Sequence, residues 1–86
     1  MAYFNMKRLD QLRAHQCAIV NHIEAEDDEM DRLMSMGVCA GRTIEMIKAG
    51  DPLILKVFGS RIGVSARLAH RVLVVPHVMN QIDENT

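Results

Sequence analysis

The side chains that could hold a metal ion or act as a nucleophile are few and scattered in this sequence. They are two cysteines and four histidines, namely Cys17, Cys39, His15, His22, His70 and His77. Preformed zinc or iron sites usually take ligands from close repeats such as Cys-x-x-Cys or from two histidines on one helical face. Neither spacing occurs here, and two lone thiols do not indicate a disulfide framework. We expect structural or surface roles for these side chains, with a thiol–histidine metal pair as the alternative, and only weak binding of iron.

The composition favours a small binding domain over an enzyme. No spacing of nucleophile, base and acid indicates catalysis, so we expect no enzymatic activity and no cofactor. The 86 residues form one domain, which buries a little over roughly 60% of its unfolded surface. Apolar residues make up 49% of the chain but aromatic residues only 3%, and seven are methionine. The core should therefore be aliphatic and adaptable.

The charge and hydropathy of the chain exclude several partners and locations. A formal net charge of −1 gives no bulk attraction for nucleic acid or an anionic membrane. The first residues lack the apolar stretch of a signal peptide, and no apolar run approaches the ~18 residues that span a bilayer. We expect a cytoplasmic protein.

The stretch from Asp27 to Gly41 carries the strongest helical signal in the chain. We expect the predicted strands to be arranged around this helix. Asp27 is the predicted N-cap, and acidic residues follow where the helix dipole favours them. An apolar face is predicted from Met30, Leu33 and Met34. Gly37 should end the helix in a left-handed conformation, with an apolar contact between Leu33 and Val38.

Alternating apolar residues and turn residues predict a β-rich fold around this helix. The predicted strands are 16–24, 42–48, 53–58, 61–64 and 72–75. Gly50, Asp51 and Pro52 lie in one predicted turn, and Gly59-Ser60 is predicted as a type II′ hairpin loop. Ser65 should cap a helical turn before the last strand, which should be central. These elements predict a mostly β, SH3-like barrel of about five strands, with a core over 6–76 and a polar tail over 77–86.

Four short motifs in this order resemble the FeoA family, small cytosolic proteins of ferrous iron uptake in bacteria and archaea. They are the helix end (Leu33, Met36, Gly37, Val38 and Gly41), the turn (Gly50, Asp51, Pro52 and Leu53), the hairpin (Gly59, Ile62 and Val64) and the step into the last strand (Ala69, Val72 and Val74). The resemblance implies a regulatory accessory protein that binds the cytosolic nucleotide-binding part of the FeoB transporter. It leaves self-association open.

Sequence patterning places the expected partner surface on the hairpin 53–61 and the following helical turn. An apolar centre of Ile54 and Phe58 would adjoin the basic residues Arg61, Arg67 and Arg71. The alternatives are a solvated charged surface and a second small core beneath the N-terminal segment. A nucleic-acid-binding barrel, a repressor domain of the DtxR type and direct handling of iron are the other functions considered. The low net charge argues against binding of nucleic acid. The absence of a helix-turn-helix argues against a repressor, and the absence of metal-ligand spacing argues against direct handling of iron.

Overall fold

The computed structural model describes residues 5–77, which form one six-stranded antiparallel sheet with short helices. The strands are β1 Lys7–Arg8, β2 Cys17–Ile23, β3 Thr43–Lys48, β4 Leu53–Val57, β5 Ser60–Val64 and β6 Val72–Pro76. The helices are α1 Asp27–Ser35 and α2 Ala66–Ala69, with a 3-10 turn at Leu9–Gln11. The strand order is β1-β6-β2-β3-β4-β5, so the last strand is paired on both sides, as predicted.

The mostly β, SH3-like prediction is confirmed, with one strand more than the five expected. The added strand is β1, which pairs with β6. Leu9 and Leu12 at helical spacing predict one turn or an ordered lead-in over 6–13, and the 3-10 turn Leu9–Gln11 confirms the turn. Both leucines are buried. The predicted tail from residue 78 onward lies outside the described residues. Within residues 5–77, no helix is long and apolar enough to cross a bilayer.

Strands β3 and β4 bury the faces that their alternation predicts. Ile44 and Met46 are buried on β3, and Leu53, Leu55 and Val57 are buried on β4. In β2 the buried parity changes after Val20, because a bulge between Val20 and His22 shifts the register with β6. Asn21 and His22 are therefore both exposed, and the alternation of this strand ends there.

The predicted end of α1 is confirmed in detail. Gly37 has φ of 93°, its N–H donates to the Met34 carbonyl at 3.0 Å, and the Val38 N–H donates to the Leu33 carbonyl at 3.0 Å. This pair of bonds is the Schellman motif, which satisfies carbonyls that the helix leaves free. Leu33 and Val38 are both fully buried. The motif therefore fixes the direction in which the chain leaves the helix.

Two predictions about α1 are wrong. Glu26, not Asp27, is the N-cap residue, and its side chain makes no capping hydrogen bond. Asp27 is the first helical residue, with φ of 50°, so its carboxylate is not in the capping position. Met34 is 52% exposed and does not join the apolar face. Met36, just past the helix, packs against the core instead, because the C-terminal turn redirects the chain.

The loop between β4 and β5 is one residue earlier than predicted. Val57 pairs with Ser60, so Phe58 and Gly59 are the two loop residues, with φ of 55° and 80°. Positive φ at both positions defines a type I′ turn, not the predicted type II′ turn. Gly59 meets the requirement for positive φ at the second position of the turn. Phe58 occupies the first position, in the left-handed region that bulky residues rarely adopt.

Two hydrogen bonds hold the N-terminal end of the short helix α2. The Ser65 side chain accepts from the Leu68 N–H at 3.1 Å, which confirms the predicted cap, and Asp51 Oδ1 accepts from the Ala66 N–H at 3.0 Å. Leu68 and Ala69 are buried. The turn at Asp51 therefore holds α2 at one end of the β4–β5 hairpin.

Candidate interaction surface

The tip of the β4–β5 hairpin carries an exposed aromatic ring stacked under an arginine. Phe58 is 75% exposed, and the Arg42 guanidinium lies 3.8 Å from its ring centroid. Such a cation–π contact contributes about 0.5–1 kcal/mol at an exposed site. Ala40, Gly41 and Thr43 complete a shallow depression beside the ring. We call this group, Arg42 and Phe58 with the depression, the hairpin-tip platform.

Most of the hydrogen-bonding capacity of Arg42 is unused. One Nη donates to the Cys39 sulfur at 3.6 Å, which is a weak acceptor, and no group of residues 5–77 accepts from the buried Nε. Arginine normally donates to carboxylates, phosphates or carbonyls, often with two parallel bonds. The hairpin-tip platform therefore keeps the Arg42 guanidinium in a fixed orientation, with N–H donors still available to a partner.

Sequence reasoning missed Arg42, although the register of β3 with β4 contains the signal. Glu45 pairs with Lys56, which places Thr43 opposite Phe58 and Arg42 next to it. This pairing cannot be predicted from the sequence, because it depends on the length of the β3–β4 turn and on the bulge near Lys48. The alternative that Phe58 belongs to a second core is wrong, since the ring is largely exposed.

The other predicted surface residues do not gather around Phe58. Ile54 is half-buried on β4, opposite Gly63, and Arg61 is exposed on β5, opposite Lys56. Arg67 and Arg71 follow β5 and lie at the far end of the hairpin. The five residues of β5 separate the two ends by about 17 Å at the usual rise of about 3.3 Å per residue. The predicted single surface is therefore divided in two, with Phe58 at the hairpin tip and Arg67 and Arg71 at the hairpin base, where α2 begins.

Arg67 and Arg71 face the acidic segment of the chain. Arg67 forms an ion pair with Glu29 at 3.1 Å, and Arg71 donates to the Glu24 backbone carbonyl at 3.4 Å. Arg8 also meets this region, with an ion pair to the Glu24 carboxylate at 2.6 Å and a bond to the His70 carbonyl at 3.1 Å. The acidic and basic segments thus partly neutralise each other, and Arg8 is a participant that its isolated position in the sequence did not indicate.

The Arg8–Glu24 pair gives a testable acid dependence. The hydrogen bond from Arg8, with its charge, holds the pKa of the Glu24 carboxyl below its ordinary value. A carboxyl whose pKa is lower in the folded state stabilises the fold above its unfolded pKa, and that contribution is lost as pH falls through the folded pKa. We expect Glu24→Gln to lower the free energy of unfolding slightly at neutral pH. At a pH below the folded pKa of Glu24, the variant and the wild type should be equally stable.

Urea titrations from neutral pH into the acid range measure this effect. Arg8→Met should remove the same pH-dependent contribution and, in addition, the bond to the His70 carbonyl, so the double variant should lose little more than Arg8→Met alone. A loss for Glu24→Gln that is equally large at acid pH would show that the ion pair is not its cause.

The candidate metal and redox side chains are not brought together. Cys17 and Cys39 are free and half-buried, and burial, with a smaller effect of Glu45, raises the pKa of the Cys17 thiol. His70 Nδ1 lies 3.3 Å from both Asp10 carboxylate oxygens. Among residues 5–77, no group of three or more His, Cys, Asp or Glu side chains is placed to hold a metal ion.

The chain matches a known domain family in sequence and known proteins in structure. Residues 7–76 match the FeoA domain family. A crystal structure of an iron uptake regulatory protein, FeoA, is 28% identical with a TM-score of 0.81, and the match covers 84% of this chain and 99% of that chain. No curated protein sequence matches the chain.

Two further structures extend the comparison. FeoA from Stenotrophomonas maltophilia, solved with zinc, is 30% identical with a TM-score of 0.69, covering 77% of this chain and 86% of that chain. It is described as an SH3 domain protein and a candidate ferrous iron transport activating factor. IdeR from T. acidophilum is 20% identical with a TM-score of 0.80, covering 90% of this chain and 37% of that chain, which shows a shared fold alone.

Proposed function

This chain belongs to the FeoA domain family, a family of small ferrous iron transport accessory proteins, and we propose that it binds the cytosolic nucleotide-binding part of the FeoB transporter in the cytoplasm. The hairpin-tip platform is the proposed centre of the contact, and Ile54 and Arg61 extend it along strands β4 and β5 toward the hairpin base. Arg67 and Arg71 form a separate basic rim. The protein acts by binding and not by catalysis.

The observation that carries this proposal is the conformation of Phe58. Its φ of 55° is one that Asn, Asp or Gly adopts at lower cost in a type I′ turn. A large apolar residue here costs backbone strain and leaves its ring in solvent. Strained residues of this kind cluster where they serve binding. Exposed aromatic rings are also the side chains that most often carry the energy of an interface.

Arg42 indicates what the partner should present. A guanidinium already stacked on a ring loses little conformational freedom on binding, and a carboxylate would be a far better acceptor than the Cys39 sulfur that it now contacts. The expected partner surface has an apolar pocket for the Phe58 ring with an acidic side chain at its edge. Burial of the ring by the partner would strengthen the cation–π contact.

Phe58→Asn tests the proposal because it should separate binding from stability. Asn suits the first position of the turn, so we expect the free energy of unfolding to stay level or rise by up to about 1 kcal/mol. Binding to the purified cytosolic domain of the transporter should weaken by about 2 kcal/mol, roughly thirtyfold. Calorimetric titration and urea unfolding measure the two effects on the same samples.

The matched control is Met6→Gln. Met6 is also an exposed apolar residue, at 44%, but it precedes β1 at the opposite edge of the sheet. It should bind as the wild type does. Wild-type affinity of Phe58→Asn, or an equal loss in both variants, would show that the platform is not the contact.

A further inference from the structure

Strand β5 forms an edge of the described sheet, and no other strand of residues 5–77 uses its outer backbone groups. Its regular pairing with β4 begins at Val57 and Ser60, the pair that closes the two-residue loop. In such a ladder alternate residues bond across the pair, so Ser60, Ile62 and Val64 bond to β4. The peptide groups of Arg61 and Gly63 point away from the sheet. Both residues are exposed, and no other backbone bond within residues 5–77 occupies them.

This edge lacks most of the features that normally prevent strand addition. Proteins protect edges with short strands, bulges, prolines or inward charges. The opposite edge of the described sheet, β1, has only two residues, but β5 has five, an unbroken register with β4 and no proline. Gly63 adds a position without a side chain at the exposed edge.

We infer that β5 pairs with β5 of a second copy of this chain, antiparallel, about a two-fold axis at Ile62. In this register Arg61 of each copy lies opposite Gly63 of the other, so the two arginines do not face each other. Four backbone hydrogen bonds form from groups that are free in one copy. Ile62, partly buried against the core, meets its own counterpart, and Ser60 meets Val64.

The same register makes the edge of β5 complementary to itself. Each Arg61 lies opposite a glycine, so neither a like charge nor a large side chain opposes it, and the two Ile62 side chains meet at the axis. This self-complementarity favours a second copy over an unrelated strand, because a two-fold contact uses one patch twice.

Charge changes at position 63 test the pairing and its register together. A Cβ at Gly63 would lie 3.8 Å from Ile54 Cδ1 and 4.0 Å from the Pro52 Cβ, which are ordinary contacts, so variants should fold. Gly63→Arg would face Arg61 of the second copy twice and should weaken the dimer about tenfold, whereas Gly63→Glu should strengthen it several-fold. Arg61→Glu combined with Gly63→Arg restores attraction at both pairs and should strengthen the dimer as much as Gly63→Glu does.

Sedimentation equilibrium of the purified 86-residue chain over a wide concentration range measures these changes. A monomer at every concentration, or a dimer that is indifferent to the charge at position 63, overturns the inference. In a chain with Cys17→Ser and Cys39→Ser, Ile62→Cys should form an intermolecular disulfide, and the exposed Thr43→Cys should not. Absence of the cross-link in a dimer would place the contact elsewhere. The test uses no transporter, so its outcome is independent of the proposed function.

Discussion

Gly37→Val is expected to lower the free energy of unfolding by about 3 kcal/mol, because two costs act at one position. The first is conformational: Gly37 has φ of 93°, which a β-branched residue rarely adopts. The second is steric: a Cβ on Gly37 would lie 3.0 Å from Val57 Cγ1, a buried methyl group of β4. Val57 cannot move freely, since it pairs with Ser60 at the start of the strained turn.

Gly41→Val separates the two costs. Gly41 has nearly the same φ, 89°, but no atom lies within 4 Å of a Cβ built on it. It should therefore lose only the conformational part, about 1–2 kcal/mol. Thermal unfolding of the two variants side by side gives the comparison. Equal losses would show that the contact with Val57 relaxes at little cost, and an unchanged midpoint for Gly37→Val would show that the helix does not need this glycine.

The sequence predicts the regular parts of the fold because they are determined by local patterns. The ending at Gly37 depends on residues within one turn, and the alternation of Ile44 and Met46 is set by the pleat of a single strand. The Ser65 cap is likewise local. The position of the hairpin loop was not predictable in this way. Gly59 allows either a type I′ or a type II′ turn, and pairing along the whole of β4 and β5 decides between them.

The candidate surface was harder to predict because its residues meet only through long-range pairing. Phe58 could be chosen from its place at the end of an alternating strand. Its neighbour Arg42 is 16 positions away, and its position depends on the register of β3 with β4. Arg67 and Arg71 were grouped with Phe58 because they follow it in the chain. The short helix α2 instead turns them toward Glu29 and Glu24.

Helix α1 is attached to the core mainly through one side chain, that of Leu33. An isolated helix of nine residues has little stability of its own, so packing must hold it. Leu33 is its only buried residue, with Met30 partly buried beside it. Leu33 also supplies the carbonyl that accepts from Val38 at the helix end. Loss of this side chain should therefore affect both the core and the position of the helix.

Leu33→Ala is expected to lower the free energy of unfolding by about 3 kcal/mol, within the range of buried Leu→Ala changes. Met34→Ala is the matched control, because Met34 is the next residue on the same helix and is 52% exposed; it should stay within about 0.5 kcal/mol of the wild type. Urea unfolding gives both values, and hydrogen exchange follows the α1 amides. Those amides should lose protection in Leu33→Ala before the β2–β6 amides do, because the helix is held through this residue. Similar stabilities of the two variants would mean that α1 is held by its ends and not by Leu33.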